Sequence, residues 1–544
     1  ASSRNGVLDL FDKHHDANAF TRAATLAWTQ AQVQLRHLGI VQEEAILFQR
    51  LAGYVLYANA ALRPSSDTIQ RGGGTASALW SQSISGDIPV VLLRIDDLAD
   101  IGIVRQLLQA HEYWQLRQLA VDIVILNERA ASYVQDLQNA LETLARMSQS
   151  RLHVAGIDGG TSKAKGSVFV LRTDLISAET RGVLSAVARI VLVAQRGSLA
   201  EQLERRMQLP HVPLQPQTRS QHAVIHGRTS SLQNLEFFNG LGGFTADGRE
   251  YVTCLDAGQA TPAPWINVIA NAQFGFQVAV EGSGYTWSVN SRENQLTQWS
   301  NDPIVDRPGE VLYVRDEETG ELWGPTITPI RDAIAPYYAR HGQGYSSFEH
   351  QAHDIALELL MYVPLNDSIK ICRLKIKNTS NRRRRLSITA YIEWVLGTSR
   401  AVSAPFIVTE MDAITGAMFA RNPWSTVYGS RVAFAGLHGQ QSQQKNQWTA
   451  DRCEFLGRHG RLERPAALAI KAPLSKRTGA GLDPCCALQT FIELERDQTT
   501  EVVLLLGEAA SSAEAQALLA QYRSADLDAV LQQVKDYWDE VLGK

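Results

Sequence analysis

The sequence predicts an α+β chain of several domains: a helical region and a small parallel α/β region, then one large antiparallel β-sandwich, then closing helices. Three observations predict it. The hydrophobic period starts helical, passes into short β-branched runs alternating with long amphipathic stretches, and becomes two after a Pro- and Gln-rich segment. The length of 544 residues exceeds what a single core serves. The stretch from Thr261 to Pro303, TPAPWINVIANAQFGFQVAVEGSGYTWSVNSRENQLTQWSNDP, sets tryptophans, amide side chains and turn glycines into alternating strand patterns.

The elements follow in order. Between residues 18 and 60, Leu26, Val33, Leu35, Leu38, Ile46, Leu47, Leu51, Val55 and Leu56 recur at helical spacing, and the RGGGT turn at Arg71 to Thr75 ends that region. PVVLLRI and VDIVILN are β-branched runs, each followed by an amphipathic stretch, Leu98 to Leu119 and Ala130 to Met147. Strands at Ser167 to Leu171 and Arg189 to Val193 precede helical stretches at Leu175 to Val187 and Leu199 to Met207. Strand and helix alternating at this spacing specify parallel βαβ units. LPHVPLQPQTRSQ, Leu209 to Gln221, reads as an extended linker. Beyond it RLKIK sets Leu374 and Ile376 opposite Arg373, Lys375 and Lys377, and strand signals recur to EVVLLLG at Glu501 to Gly507. Ser512 to Tyr522 and Leu527 to Leu542 read as helices.

Composition narrows the function classes. With 45% hydrophobic and 20% charged residues the chain is an ordinary globular protein, and a net charge of −4 gives no electrostatic reason for nucleic acid or an anionic membrane. No apolar run approaches the ~20 residues that cross a bilayer. Five cysteines, an odd number and few for the length, suit buried thiols in a reducing compartment. Their spacing predicts no structural zinc, and no cofactor is expected.

The chemistry sits in the Thr261 to Pro303 stretch. Aromatic faces cover the C–H faces of pyranose rings, and amide, arginine and acidic side chains supply directional hydrogen bonds to hydroxyls. Trp265, Trp287 and Trp299 stand beside Asn267, Asn290, Arg292, Glu293, Asn294, Asn301 and Asp302. The same rings also suit the core of a sandwich. GIDGGTSKAKG, Gly156 to Gly166, has the look of a phosphate loop, but a lone Gly-rich turn is weak and a surface loop is the expectation. Arg382 to Arg385 are expected in a solvated hairpin turn, since the aromatics of a nucleic-acid site are missing. RHGQGY, with Arg340, His341 and Tyr345, gives no assignable triad.

PWINVIAN, FGF, GSGYTW, NSREN and WSNDP, then LYVRDEETGELWGPT (Leu312 to Thr326) and ARHGQGYSSFEH (Ala339 to His350), resemble the amino-terminal sandwich of glycoside hydrolase family 94, which includes cellobiose phosphorylase and part of the cyclic β-1,2-glucan synthases. LAWTQAQVQLRHLGI (Leu26 to Ile40), LFQRLAGYVLYANAALRP (Leu47 to Pro64), SGDIPVVLLRIDD (Ser85 to Asp97) and VRQLLQAHEYWQLRQLAVDIVILNERAASYVQDL (Val104 to Leu137) are similar to the cyclic glucan synthases in particular. The resemblance implies a galactose mutarotase-like β-super-sandwich. It also implies a division into a helical region at 1–85, an α/β domain at 86–208, a linker at 209–221, the sandwich at 222–510 and a helical linker at 511–544, leading to an (α/α)₆ barrel outside the chain.

By the same resemblance the general acid and the phosphate site belong to that barrel, so no catalytic residue is expected here. In family members a sandwich loop reaches toward a partner's barrel. GTSRAVSAPFIVTEMD, Gly397 to Asp412, lies at the matching place and nominates Arg400, Glu410 and Asp412 for glucan contact, beside Trp287, Arg292 and Glu293. The expected partners are β-1,2-glucan, inorganic phosphate at the parent's barrel, the rest of the parent polypeptide and a second copy through the sandwich. The parent is expected in a bacterial inner membrane with this region cytoplasmic, and the chain reads as an internal piece of it. The alternatives are part of a soluble β-1,2-oligoglucan phosphorylase, a purely structural scaffold, and, remotely, a sugar kinase.

Overall fold

The computed structural model describes residues 3–57, 59–129, 135–154, 166–204, 234–332, 335–439, 446–457, 460–470 and 472–543. The GIDGGT turn and the Leu209 to Gln221 linker lie outside the described residues. The chain divides into two compact units, residues 1–64 with 77–210, and residues 65–76 with 211–544. This differs from the expected division in two ways. The first helices and the α/β region form one unit, and residues 65–76 belong with the sandwich, where the Ser66 hydroxyl accepts from the Ala480 N–H at 2.8 Å. No helix among the described residues is long and apolar enough to cross a membrane.

In the first unit, strands β1 (Val90–Ile95), β2 (Asp122–Asn127), β3 (Val168–Arg172) and β4 (Ile190–Val193) form a parallel sheet of order β3-β2-β1-β4. VVLLRI and DIVILN are near-continuous apolar runs because helices cover both faces of such a sheet. The helix Ile101–Leu116 buries Val104, Leu107, Leu108 and Trp114, and Trp114 donates to the Phe48 carbonyl of the helix Gln42–Leu56 at 2.9 Å. Satisfying the indole N–H lets the largest side chain of this core be fully buried.

The second unit holds the remaining strands: β5 (Gly242–Phe244), β6 (Glu250–Leu255), β7 (Ile266–Ala270), β8 (Phe274–Ala279), β9 (Gly284–Ser288), β10 (Gln295–Thr297), β11 (Glu310–Asp316), β12 (Leu322–Trp323), β13 (Tyr337–Gly342), β14 (Tyr345–Ala352), β15 (Ile355–Tyr362), β16 (Ile369–Asn378), β17 (Arg384–Ile392), β18 (Trp394–Gly397), β19 (Val408–Met411), β20 (Met418–Arg421), β21 (Val432–Gly439), β22 (Gln447–Asp451), β23 (Pro484–Leu494) and β24 (Thr499–Ala509). Among the described residues they build three antiparallel sheets: β18-β10-β9-β8-β7, β12-β11-β17-β23-β22, and a ten-stranded sheet β19-β20-β21-β24-β16-β15-β14-β13-β6-β5. One core fills the space between them, with Phe276, Leu296, Val314, Phe348, Leu374, Ile388, Trp394 and Leu504 among its buried members. Helices Ser512–Ser524 and Leu527–Leu542 cover the other face of the large sheet through Leu519, Tyr522 and Val534.

One expectation about charge is corrected, and one strand position adds to the reading. Arg373 does share a strand face with Lys375 and Lys377, yet it is buried, because it pairs with Glu501 at 3.0 Å and Asp528 at 2.6 Å. In the four-arginine run only part is a solvated turn. Arg384 opens β17 and is buried against Asp316, with Nε and Nη2 at 3.0 and 2.6 Å from Oδ2 and Nη1 donating to the His353 carbonyl at 2.8 Å. Arg382 and Arg383 face outward on Glu318 and Glu493. Breaking a buried pair strands a charge, whereas an exposed pair is worth little. In urea unfolding Arg384→Met should lose about 3–5 kcal/mol, while Arg383→Met should stay within about 1 kcal/mol.

Candidate functional site

The five-stranded sheet presents one face to the core and one outward. Register defines the outer face, because residues directly opposite in an antiparallel pair share a side. Val268, Gln277 and Tyr285 make one cross-strand row, and Ala270, Gly275, Trp287 and Gln295 make the next. Gly275 is where this face needs a glycine: a Cβ there would lie 2.6 Å from Trp287 Cζ2 and 2.6 Å from the Ala270 Cβ, so the indole lies across the bare backbone. Tyr285 stands 5.2 Å from Trp287 and is stacked 5.2 Å from Trp299 at 16°. Trp299 keeps 40% of its surface exposed, and Ile266 and Val268 extend the apolar outer face.

Amides edge these rings. Gln277 and Gln295 share the rows just described, and the turn from β9 to β10 continues the strand that carries Trp287. In that turn the Asn290 side chain accepts from the Arg292 and Glu293 N–H groups at 2.9 Å each, so the two charged side chains leave a pinned backbone. Arg292 is 88% exposed and lies 3.5 Å from Glu293. Of the residues nominated from sequence, the structure thus brings Trp287, Arg292 and Glu293 onto one strand and its adjoining turn.

Arg400, Glu410 and Asp412 stand elsewhere, in bonds of the domain itself. Arg400 donates to the Trp394 and Pro484 carbonyls at 3.2 and 2.9 Å and pairs with Asp483. Burial alone would raise the Glu393 carboxyl, but Arg400 and Arg452 outweigh it and hold the group below its ordinary range. Glu410 pairs with Arg421 at 3.1 Å. Asp412 takes the Thr415 hydroxyl at 2.6 Å and the Gln516 amide at 2.7 Å; these donors outweigh desolvation and lower its pKa. Trp265 packs edge-on against Tyr251 and against the core.

Sequence reasoning passed over Gly275, Tyr285, Gln277 and Gln295. Their signal was present as register, since FGFQVA and GYTWS in an antiparallel hairpin bring Gly275 opposite Trp287.

Three antiparallel sheets around one core, with part of an aromatic face turned outward, make this a β-sandwich protein. The chain belongs to the glycosyl hydrolase 94 supersandwich family, whose model matches residues 249–525, half of its length. Over its whole length it is 37% identical to the cyclic beta-(1,2)-glucan synthase NdvB of Rhizobium meliloti (strain 1021), of which it spans 19%. It is 25% identical over 306 residues to the N,N'-diacetylchitobiose phosphorylase of Vibrio furnissii, covering 56% of this chain and 38% of that enzyme. A solved galactose mutarotase related enzyme from Lactobacillus acidophilus aligns with 46% of this chain and 99% of its own, at 8% identity and a TM-score of 0.25. The chain thus spans well under two thirds of the curated relatives it matches.

Gly275→Ala should force the Trp287 ring off the sheet. The expected result is a shifted tryptophan emission maximum and a stability loss of about 1–3 kcal/mol in urea, both read on the same sample.

Proposed function

We propose that this chain is the non-catalytic, glucan-binding and supporting portion of a cyclic β-1,2-glucan synthase, and that the outer face of the five-stranded sheet is where it meets the glucan. The observation that carries this reading is the likeness to NdvB, which runs through both units, whereas the chitobiose phosphorylase alignment covers 56% of the chain. The same difference favours a synthase over a soluble β-1,2-oligoglucan phosphorylase. The geometry supports a glucan at the outer face because Trp287 and Trp299 offer ring surface beside the half-buried Gln277 amide, and such a face suits a neutral sugar.

In this reading the parent lies in a bacterial inner membrane with this region on the cytoplasmic side. It extends glucan in one domain and trims it by phosphorolysis in an (α/α)₆ barrel beyond this chain. There an acid protonates the glycosidic oxygen while inorganic phosphate attacks the anomeric carbon with inversion. The sandwich supports that barrel, and a second copy through the sandwich is part of the proposal. Arg400, Glu410 and Asp412 then act by holding the loop between β18 and β20 in shape, while Trp287, Arg292 and Glu293 touch sugar.

A purely structural scaffold is the second reading, favoured by the internal bonds of Arg400 and Asp412. Calorimetric titration with linear β-1,2-gluco-oligosaccharides, with cellobiose as control, separates the two. Saturable binding that weakens roughly tenfold, about 1.4 kcal/mol, in a folded Trp287→Ala variant is expected. No heat at millimolar ligand would leave the scaffold.

A further inference from the structure

The RHGQGY turn, unused by the outer aromatic face, lines a separate cleft of about 490 Å³ in the second unit. That volume falls within the roughly 300–1,000 Å³ of small-ligand pockets. Asp247 and Arg249 line it from the β5–β6 hairpin, Gln343 and Tyr345 from the β13–β14 turn, and Lys535 and Asp539 from the helix Leu527–Leu542.

The walls are fixed by contacts beneath the cleft. Gly344, at φ +84°, lets the helix sit directly on the turn, since a Cβ there would meet Trp538 Cδ1 at 2.4 Å. The Tyr345 hydroxyl donates to Glu250 at 2.5 Å, and Arg340 closes on the same carboxylate at 3.4 Å. Arg249 spans to Asp539 Oδ2 at 2.9 Å and ties hairpin to helix.

These contacts leave hydrogen-bonding capacity aimed at the cleft. Lys535 Nζ rests 4.5 Å from the Tyr345 ring centroid. A ring face stabilises the ammonium charge but accepts little from its three N–H groups, and among the described residues Lys535 makes no ion pair. Asp247 takes the Thr245 hydroxyl at 2.6 Å and the Arg249 N–H at 3.2 Å on Oδ1, which leaves Oδ2. Asp539 is engaged through Oδ2, which leaves Oδ1. Gln343 brings both a donor and an acceptor. Asp247, Glu250 and Asp539 face Arg249 and Lys535, and Arg340 pairs with Glu250 beneath the cleft, so three carboxylates meet three cations and neither an anion nor a cation is favoured. Fixed donors and acceptors of both kinds in a charge-balanced cleft match a neutral polyhydroxyl ligand.

We propose that this cleft is a second saccharide site, taking a neutral glucosyl unit through Asp247, Gln343, Lys535 and Asp539. Because one wall is helix and the other sandwich, an occupied cleft fastens the helix Leu527–Leu542 to the β5–β6 hairpin. The identity of the sugar rests on the glucan reading above, and the two fail separately in the following test.

The full chain is titrated with sophorose, the β-1,2-linked glucose disaccharide, and with glucose 1-phosphate. Lys535→Met, Gln343→Ala and Trp287→Ala variants run in parallel, their folding checked by thermal melts. Sophorose should still bind Trp287→Ala through the cleft, and adding Lys535→Met or Gln343→Ala to that variant should weaken the remaining binding roughly tenfold. Bound sugar should slow amide hydrogen exchange in residues 245–250 and 534–542. Sophorose binding that is lost in Trp287→Ala and unchanged in Lys535→Met and Gln343→Ala overturns the cleft and leaves the glucan reading standing. Absence of sophorose binding, or tighter binding of glucose 1-phosphate, also overturns the cleft. Binding at the cleft alone retains it and moves glucan contact away from the aromatic face.

Discussion

A buried ion pair joins the three sheets of the sandwich. Lys370 on β16 of the ten-stranded sheet lies 2.7 Å from Glu310 on β11 of the second sheet, and its ammonium sits 4.0 Å from the Phe276 ring centroid on β8 of the third. Glu310 also accepts the Thr286 and Thr297 hydroxyls of β9 and β10 at 2.5 and 2.7 Å. Burial would raise the carboxyl and lower the amine, yet mutual attraction wins on both sides: Glu310 is held below its ordinary range and Lys370 above. The pair is charged and satisfied only where all three sheets meet in this register. Such a pair adds little over an apolar substitute, so its consequence is specificity of arrangement.

The five-stranded sheet is short and depends on such fastenings. Asn294, after β9, donates to Glu508 of β24 at 3.0 Å, and Glu508 also holds Arg431 at 2.5 Å. Asn267 of β7 donates to the Gly342 and Tyr345 carbonyls of the RHGQGY turn at 2.9 and 3.0 Å, and Asn271 to the Pro364 and Asp367 carbonyls. The inner face is thereby fixed by polar bonds as well as by Phe274, Phe276 and Val278. The outer face carrying Tyr285 and Trp287 inherits that rigidity. A preordered aromatic face loses little freedom when a flexible glycan settles on it. The RHGQGY turn serves both sides, receiving Asn267 from the five-stranded sheet and the helix Leu527–Leu542 on Gly344.

Much of this was legible in the sequence because period reports burial. The parallel strands stood out as apolar runs, β16 as an alternation, and the closing helices within two residues of their ends. The aromatic face was legible as composition, since Trp287, Trp299 and their amides cluster in one stretch. What period cannot report is pairing across long separations. Arg384 looked like one of four solvated arginines, and only contact with Asp316, 68 residues earlier, buries it. Residues 65–76 carry no mark of belonging with a sandwich that begins far downstream, because Ser66 meets Ala480 across 414 residues. Arg400 read as a free polar group for the same reason, since its partner Asp483 is remote in sequence, and Asp412 has one partner near in sequence, Thr415, and one far, Gln516.

Native-state hydrogen exchange on Lys370→Met, compared with the unmodified chain, tests most directly whether the Glu310–Lys370 pair holds the aromatic-bearing sheet in place. Leaving Glu310 buried and unpaired should raise exchange of the β8, β9 and β10 amides by on the order of a hundredfold, well beyond any change in β13 to β15. Equal acceleration across all three sheets, or none in β8 to β10, would contradict that role and leave the pair an ordinary part of the core.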